Sequence, residues 1–323
     1  MPNDLVVVEQ NANALVAVAS LDGIAGAAIW AHQLSPLKAF LFAAEGAVGH
    51  TLSAPALGPD AGIKALHFIG LPLMAEDMEA LRKLIDRPDF TEVRWLDHHY
   101  LHADHVSLMQ RHGVRIINDT RVGSSTRLLL DSLSEPPEWG GHVYRALEAG
   151  IEAAGDPWRQ WLLVFLAVRE SPFDIRHAIA PLIDERFEAF DPALVEAGEE
   201  IWRRIRAMAE SPMHEVEAGG LRLVVSGLPP SELSTYRLMI EAIARHRDAD
   251  LVIAAFDRQA RLVVAAPRVT SAKIDLLEIG ERIVSAGLNV FHYDAGTLFI
   301  DTADLSVPKA VDRIIAVVTT GEA

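Results

Sequence analysis

The chain has 323 residues and no cysteine, and it sets 29 Lys and Arg against 45 Asp and Glu for a formal charge of −16. That field repels phosphate backbones and anionic lipid, so long nucleic acid and membrane surfaces are poor partners. The missing cysteines exclude disulfides, thiolate catalysis and cysteine-ligated zinc or iron–sulfur clusters, leaving Asp, Glu and His to hold any metal.

Half the residues are hydrophobic and 23% are charged, the balance of an ordinary globular protein. The length suits two cores, because single domains commonly run to roughly 100–200 residues. The opening Met1-Pro2-Asn3-Asp4 has no basic stretch leading into an apolar one, and the longest apolar run, Trp161 to Val168, is far shorter than the ~20 residues of a membrane span. A cytoplasmic protein is the expectation.

In the first third, apolar runs rich in Val, Ile, Leu and Phe predict strands over Leu15–Ser20, Ala39–Ala44, Ala65–Gly70, Val93–Asp97 and Val114–Asn118. Segments of helical period lie between them: Ile24–Leu34, Met74–Ile85 and Leu101–His112. Short runs that are apolar on both faces, alternating with helices, predict a mostly parallel sheet covered on both sides. Ligands gather at the carboxyl ends of such strands, which is where Asp22, Gly70 and the pair Asp97-His98 fall.

From Gly123 to about Leu182 the pattern is helical, including Trp139–Ala154 and Trp158–Val168. Asp191-Pro192 supplies an N-cap and a proline at the first helical position for a charged helix reaching about Met208. Beyond it, strands are predicted over Leu221–Ser226, Leu251–Phe256, Arg261–Ala266, Asn289–Tyr293 and Thr297–Asp301, with helices over Tyr236–Arg245 and Ile274–Ala286. The expected architecture is α/β: a parallel-sheet domain over residues 1–185, a connecting helix over 186–212, a smaller mixed α/β domain over 213–323, and a cleft between the two domains.

Three stretches carry a family resemblance. "WLDHH" (Trp95 to His99) follows a strand, "VASLDGIAGAAIW" (Val18 to Trp30) follows an earlier one, and "NDTRVGSSTRLLLDSL" (Asn118 to Leu133) opens a helix with Ser-Ser-Thr. In this order and spacing the chain resembles the DHH phosphoesterase superfamily. That superfamily includes family II pyrophosphatases, exopolyphosphatases, nano-RNA and cyclic-dinucleotide phosphodiesterases, and single-strand exonucleases. The C-terminal third is similar to its DHHA1 substrate domain in strand–helix order. The resemblance implies two divalent cations, manganese or magnesium, held by carboxylates and imidazoles. Such a pair activates a water and neutralises phosphoryl oxygens during in-line displacement.

Compared with that pattern, many ligands are missing. Aligning Asp22-Gly23 on the first motif places Ser20 where the family has its first Asp and Val16 where it has a His. Gly70 takes the place of the bridging Asp, and the fourth-motif Asp aligns on either Glu170 or Asp174. The resemblance leaves Asp22, His98, Asp97 and one of Glu170 and Asp174 for at most one weakly held Mn²⁺ or Mg²⁺, or for none. By the same resemblance Asp97, His98 and His99 are the catalytic candidates. His99, Ser125, Thr126 and Arg268 are the candidates for holding substrate. The family's Gly-Gly-Gly-His loop has no match, and "SAGLNVFHYDAGT" occupies roughly its place.

Plainer readings stand beside these. Asp97-His98-His99 could be a polar turn capping the helix near Leu101, and Asp22 an N-cap for Ile24–Leu34. Glu170 and Asp174 could be simple surface residues, as could His102, His105 and His112. Gly123 to Thr126 could bind an anion through free backbone N–H groups or merely begin a helix.

The expected function is hydrolysis of a small phosphorylated or nucleotide substrate by a divergent phosphoesterase-like protein. The competing expectation is an inactive descendant that binds, regulates or assembles. A third option is an unrelated nucleotide-binding α/β protein, in which Asp22 and His98 would lie far apart. A homodimer is left open.

Overall fold

Residues Ala14 to Val18 of strand β1 (Asn13–Val18) are buried without exception, because helices cover the strand on both faces. The computed structural model describes residues 12–34, 37–44, 47–170, 174–187, 190–227, 233–256, 261–266, 274–293, 296–302 and 305–320.

After β1 come α1 (Leu21–Leu34), β2 (Ala39–Ala43), α2 (Val48–Leu52), β3 (Ala65–Ile69), α3 (Met78–Ile85), β4 (Glu92–Asp97), α4 (Ala103–Arg111), β5 (Arg115–Asn118) and α5 (Ser125–Ser132). The five strands form one parallel sheet in the order β2-β1-β3-β4-β5. Strand order reverses beside β1, so β1 and β3 flank the switch point at which open α/β sheets hold ligands.

Side-chain alternation divides the strand residues between the two faces. Ala14, Val16, Val18, Leu66, Phe68, Val93 and Trp95 join residues of α2, α3 and α4 in one apolar cluster. Leu15, Ala17, His67, Ile69 and Leu96, the alternate residues of the same strands, are also buried, and α1 and α5, which contact β1, β3 and β4, pack against each other.

The chain continues through α6 (Gly140–Ala153), which is interrupted at Gly150, then α7 (Trp158–Glu170), α8 (Arg176–Ile183) and α9 (Pro192–Glu210). One compact unit comprises residues 1–144 with 179–186, and a second comprises 145–178 with 187–323. In the second unit α7 and α9 pack so closely that a Cβ on Gly198 would collide with the Leu163 carbonyl oxygen. Asp191 caps α9 by accepting from the Ala193 N–H at 2.9 Å.

The rest of that unit contains β6 (His214–Ala218), β7 (Leu221–Gly227), α10 (Leu233–Arg247), β8 (Leu251–Phe256), β9 (Arg261–Ala265), α11 (Leu276–Ser285), β10 (Asn289–Tyr293), β11 (Thr297–Asp301) and α12 (Val307–Thr320). Its sheet has the order β10-β11-β9-β8-β7-β6, with β7 and β8 parallel and the other pairs antiparallel. The two sheets, one parallel and one mixed, make the α/β architecture expected from the sequence. None of the described helices is long and apolar enough to cross a membrane.

One polar side chain is buried in the first unit without support. His67 on β3 is 1% exposed and lies edge-on to Trp30, with ring centroids 5.1 Å apart. Neither of its ring nitrogens has a hydrogen-bond partner among the described residues. Burial, helped by the charge of Arg94, pushes its pKa down to about 3.

The folded protein therefore keeps His67 neutral where an unfolded chain, titrating near 6.5, binds a proton. Stability is unaffected above that pH and falls as the pH drops from 6.5 towards 3. At pH 5 the loss from this residue is about 2 kcal/mol, at roughly 1.4 kcal/mol per pH unit. Thermal denaturation of His67→Leu should accordingly show a shallower fall in Tm between pH 7 and pH 5 than the wild type. Equal slopes would show that His67 does not couple folding to pH.

Candidate functional site

Asp22 lies in the first turn of α1, 6% exposed, and its carboxylate faces the N-terminus of α5. There it accepts from the Ser124 hydroxyl at 2.5 Å, the Ser125 N–H at 2.7 Å and the Thr126 N–H at 3.3 Å. The Thr126 hydroxyl also donates to the Asp22 carbonyl oxygen at 2.7 Å. The first N–H groups of a helix lack intrahelical partners and carry partial positive charge, so a carboxylate there satisfies them and is stabilised in return.

Asp22 thus serves α5 rather than capping its own helix. The N-terminus of α1 is served instead by Ser20, whose hydroxyl accepts from the Gly23 N–H at 3.0 Å. Ser124, the N-cap of α5, accepts in turn from the Arg127 N–H at 3.1 Å.

The Asp97-His98-His99 triplet stands at the carboxyl end of β4 and is buried throughout, at 0%, 3% and 8% exposure. Strand alternation sends His98 towards α5, where its Nδ1 lies 2.8 Å from the Ser125 hydroxyl and 3.9 Å from Asp22 Oδ2. His99 returns to Asp97: its Nδ1 is 2.6 Å and its backbone N–H 3.2 Å from Asp97 Oδ1. The two imidazoles lie against each other with centroids 4.0 Å apart.

Asn118, at the end of β5, spans the turn from the neighbouring strand. Its amide donates to the carbonyl oxygens of Asp97 at 2.7 Å and His99 at 2.8 Å, clamping the backbone on both sides of His98. The cap of α4 is His102, which accepts from the Asp104 N–H, so none of the triplet serves that helix.

The donor set suits a single hard or borderline cation. One ligand atom from each of Asp97, His98 and His99 lies within 4.8 Å of the others. Asp97 Oδ2 is buried with no hydrogen-bond partner among the described residues, and a buried polar atom left so is costly unless something completes it. Carboxylate oxygen with imidazole nitrogen is the ligand chemistry of divalent ions such as Mn²⁺ or Zn²⁺.

A coupled ion pair does not fit the same residues. Val16 is fully buried in the apolar cluster, and Ser20 serves a helix start. Gly70 has φ +64°, a conformation that disfavours any side chain, and a Cβ there would lie 3.1 Å from the Ser125 hydroxyl.

The remaining sequence candidates have varied surroundings. Ser125 and Thr126 are fully buried, and their polar groups are engaged by Asp22 and His98. Glu170 ends α7 and Asp174 precedes α8, both exposed and both in the second compact unit. Arg176 binds the Asp174 carboxylate and lowers its pKa to about 2. Arg268 lies outside the described residues.

Among solved structures, the chain is similar to the DHH domain of a protein described as a member of a family of ribosomal proteins. The TM-score is 0.62 and the identity 14%, over 98% of this chain and 88% of that one. The chain shares the fold of that DHH domain. A second structure with this DHH fold is the pGpG-specific phosphodiesterase PggH of Vibrio cholerae, at TM-score 0.52 and 12% identity over 95% of this chain and 98% of that one. No protein-family profile matches the chain, and no curated protein does.

The packing around Asp22 and Gly70 makes opposite demands on two substitutions. Asp22→Ala strands three buried donors and should cost roughly 3 kcal/mol or more in chemical denaturation, since each orphaned group costs about 1–3 kcal/mol. Gly70→Asp, which puts a carboxylate at the end of β3, should lower stability by about 1–3 kcal/mol through backbone strain. It should also bind no additional Mn²⁺ by elemental analysis. A stable Gly70→Asp protein with two equivalents of manganese would refute this account of the site.

Proposed function

We propose that this chain is a phosphoesterase-like protein that acts on a small phosphorylated or nucleotide ligand at the strand ends of its first unit. It would use one divalent cation, Mn²⁺ or Mg²⁺, held by Asp97, His98 and His99. The observation that carries this reading is Asp97 Oδ2, buried without a hydrogen-bond partner among the described residues, on a side chain whose ligand atom clusters with those of His98 and His99 at the carboxyl end of an interior parallel strand. The fold shared with a pGpG-specific phosphodiesterase supports the ligand class.

A cation bound there supplies Lewis-acid polarisation of a phosphoryl oxygen and a lower pKa for a coordinated water. Asp97 holds the His99 ring through Nδ1, leaving Nε2 as the nitrogen that would meet the cation. Asn118 keeps the turn rigid, so both imidazoles are placed before the ligand arrives. The net charge of −16 disfavours long polyanions and leaves small phosphates as the better substrate class.

A second reading is binding or regulation without turnover. It is favoured by the full engagement of Asp22 with α5, which withdraws the one early-chain carboxylate from chemistry.

Protein purified without chelator separates the two readings. Elemental analysis should find about one equivalent of divalent metal. With Mn²⁺, activity is expected on bis-p-nitrophenyl phosphate, pyrophosphate or short oligonucleotides and dinucleotides, and His98→Ala should reduce it by roughly 100-fold, the scale of disturbed metal sites. No metal and no turnover on any of these substrates, with a phosphorylated ligand still bound, would establish the second reading instead.

A further inference from the structure

The surroundings of His98 determine more than its position. Three oxygens converge on its Nδ1: the Ser125 hydroxyl at 2.8 Å, Asp22 Oδ2 at 3.9 Å and Asp97 Oδ1 at 4.0 Å. All four residues are buried, so charges at these distances act through a medium less polarisable than water. A lone pair on Nδ1 would lie within about 4 Å of two carboxylate oxygens, whereas an N–H there places positive charge near both and donates to the serine oxygen.

We infer that Asp22 and Ser125 are positioning residues that hold neutral His98 as its Nδ1–H tautomer, so that Nε2 carries the lone pair. Asp22 acts on the imidazole in two ways. Its charge favours the Nδ1 proton directly, and its hydrogen bond to the Ser125 N–H fixes the residue whose hydroxyl receives that proton. This assignment moves Asp22 out of the ligand set and into the shell behind it, where such partners set tautomer and basicity. It rests on the proposed cation site only in assigning Nε2 its use.

The test uses the full chain labelled with ¹⁵N-histidine. Long-range ¹H–¹⁵N spectra are recorded above the pH at which histidines protonate, and the His98 signals are identified by their loss in His98→Asn. The expected result is Nδ1 in the protonated range and Nε2 in the unprotonated range. In Asp22→Asn the Nε2–H form should grow, because one of the two carboxylate charges is gone.

Ser125→Ala keeps both carboxylates and should keep the tautomer. With the ring less firmly held, it should bind Mn²⁺ about tenfold more weakly by electron paramagnetic resonance titration. A wild-type His98 protonated at Nε2 would overturn the assignment, as would a folded Asp22→Asn protein with an unchanged tautomer. If Asp22→Asn fails to fold, the wild-type spectrum decides the tautomer and Ser125→Ala the positioning. A wild type showing Nδ1–H but taking up no Mn²⁺ would support the tautomer and refute the cation site alone.

Discussion

The contact on which this site depends is the carboxylate of Asp22 seated on the first turn of α5. A helix N-terminus is an anion-binding place in waiting, with N–H groups directed outward and a dipole that favours negative charge. In many α/β proteins the anion is a ligand's phosphate. Here it is a side chain of the protein itself, from 102 residues earlier, and it ties α1 to α5. The Ser-Ser-Thr segment, which would otherwise attract a phosphate, is buried and engaged.

The missing ligands follow from the same contact. Once α5 is drawn in on Asp22, the Ser125 hydroxyl approaches the end of β3 closely enough that a side chain at residue 70 would press against it, and glycine with φ +64° fits. Gly23 is confined in a similar way, since a Cβ there would strike the Val18 carbonyl oxygen. His98, Ser125, Asp22 and Gly70 form one packed unit. Restoring a single family carboxylate would therefore meet the whole arrangement rather than an empty position.

Much of the fold was legible because burial on both faces leaves an unmistakable trace. The predicted strand at Ala65–Gly70 matches β3 to within one residue, and α1 was read only three residues short at its start. Elements held by context were not legible. Strand β6 (HEVEA) is an edge strand that is largely exposed, with Val216 packed on the core. Helix α2 is five residues containing Gly and Thr, and its Gly49 N–H is held by Asp77 at 2.7 Å. At the site, the resemblance put Asp22 and His98 in one ligand set, but the hydrogen bonds of Asp22 to Ser124 and Ser125 and the contact of His98 with Ser125 were not legible. A carboxylate brought to a helix N-terminus from 102 residues away has no local signature, and neither does a clamp such as Asn118.

Electrostatics bears on how a phosphate could use this place. Asp22 and Asp97 each bring a carboxylate oxygen within about 4 Å of His98 Nδ1, and the dipole of α5 offsets part of the charge on Asp22. A bare phosphate approaching the strand ends would meet Asp97 and a chain of net charge −16, and repulsion in a buried setting is weakly screened. A divalent cation held by Asp97 would offset these charges and supply a phosphoryl oxygen with a partner. Affinity for a phosphorylated ligand and occupancy by a cation are then coupled, each strengthening the other by the same free energy.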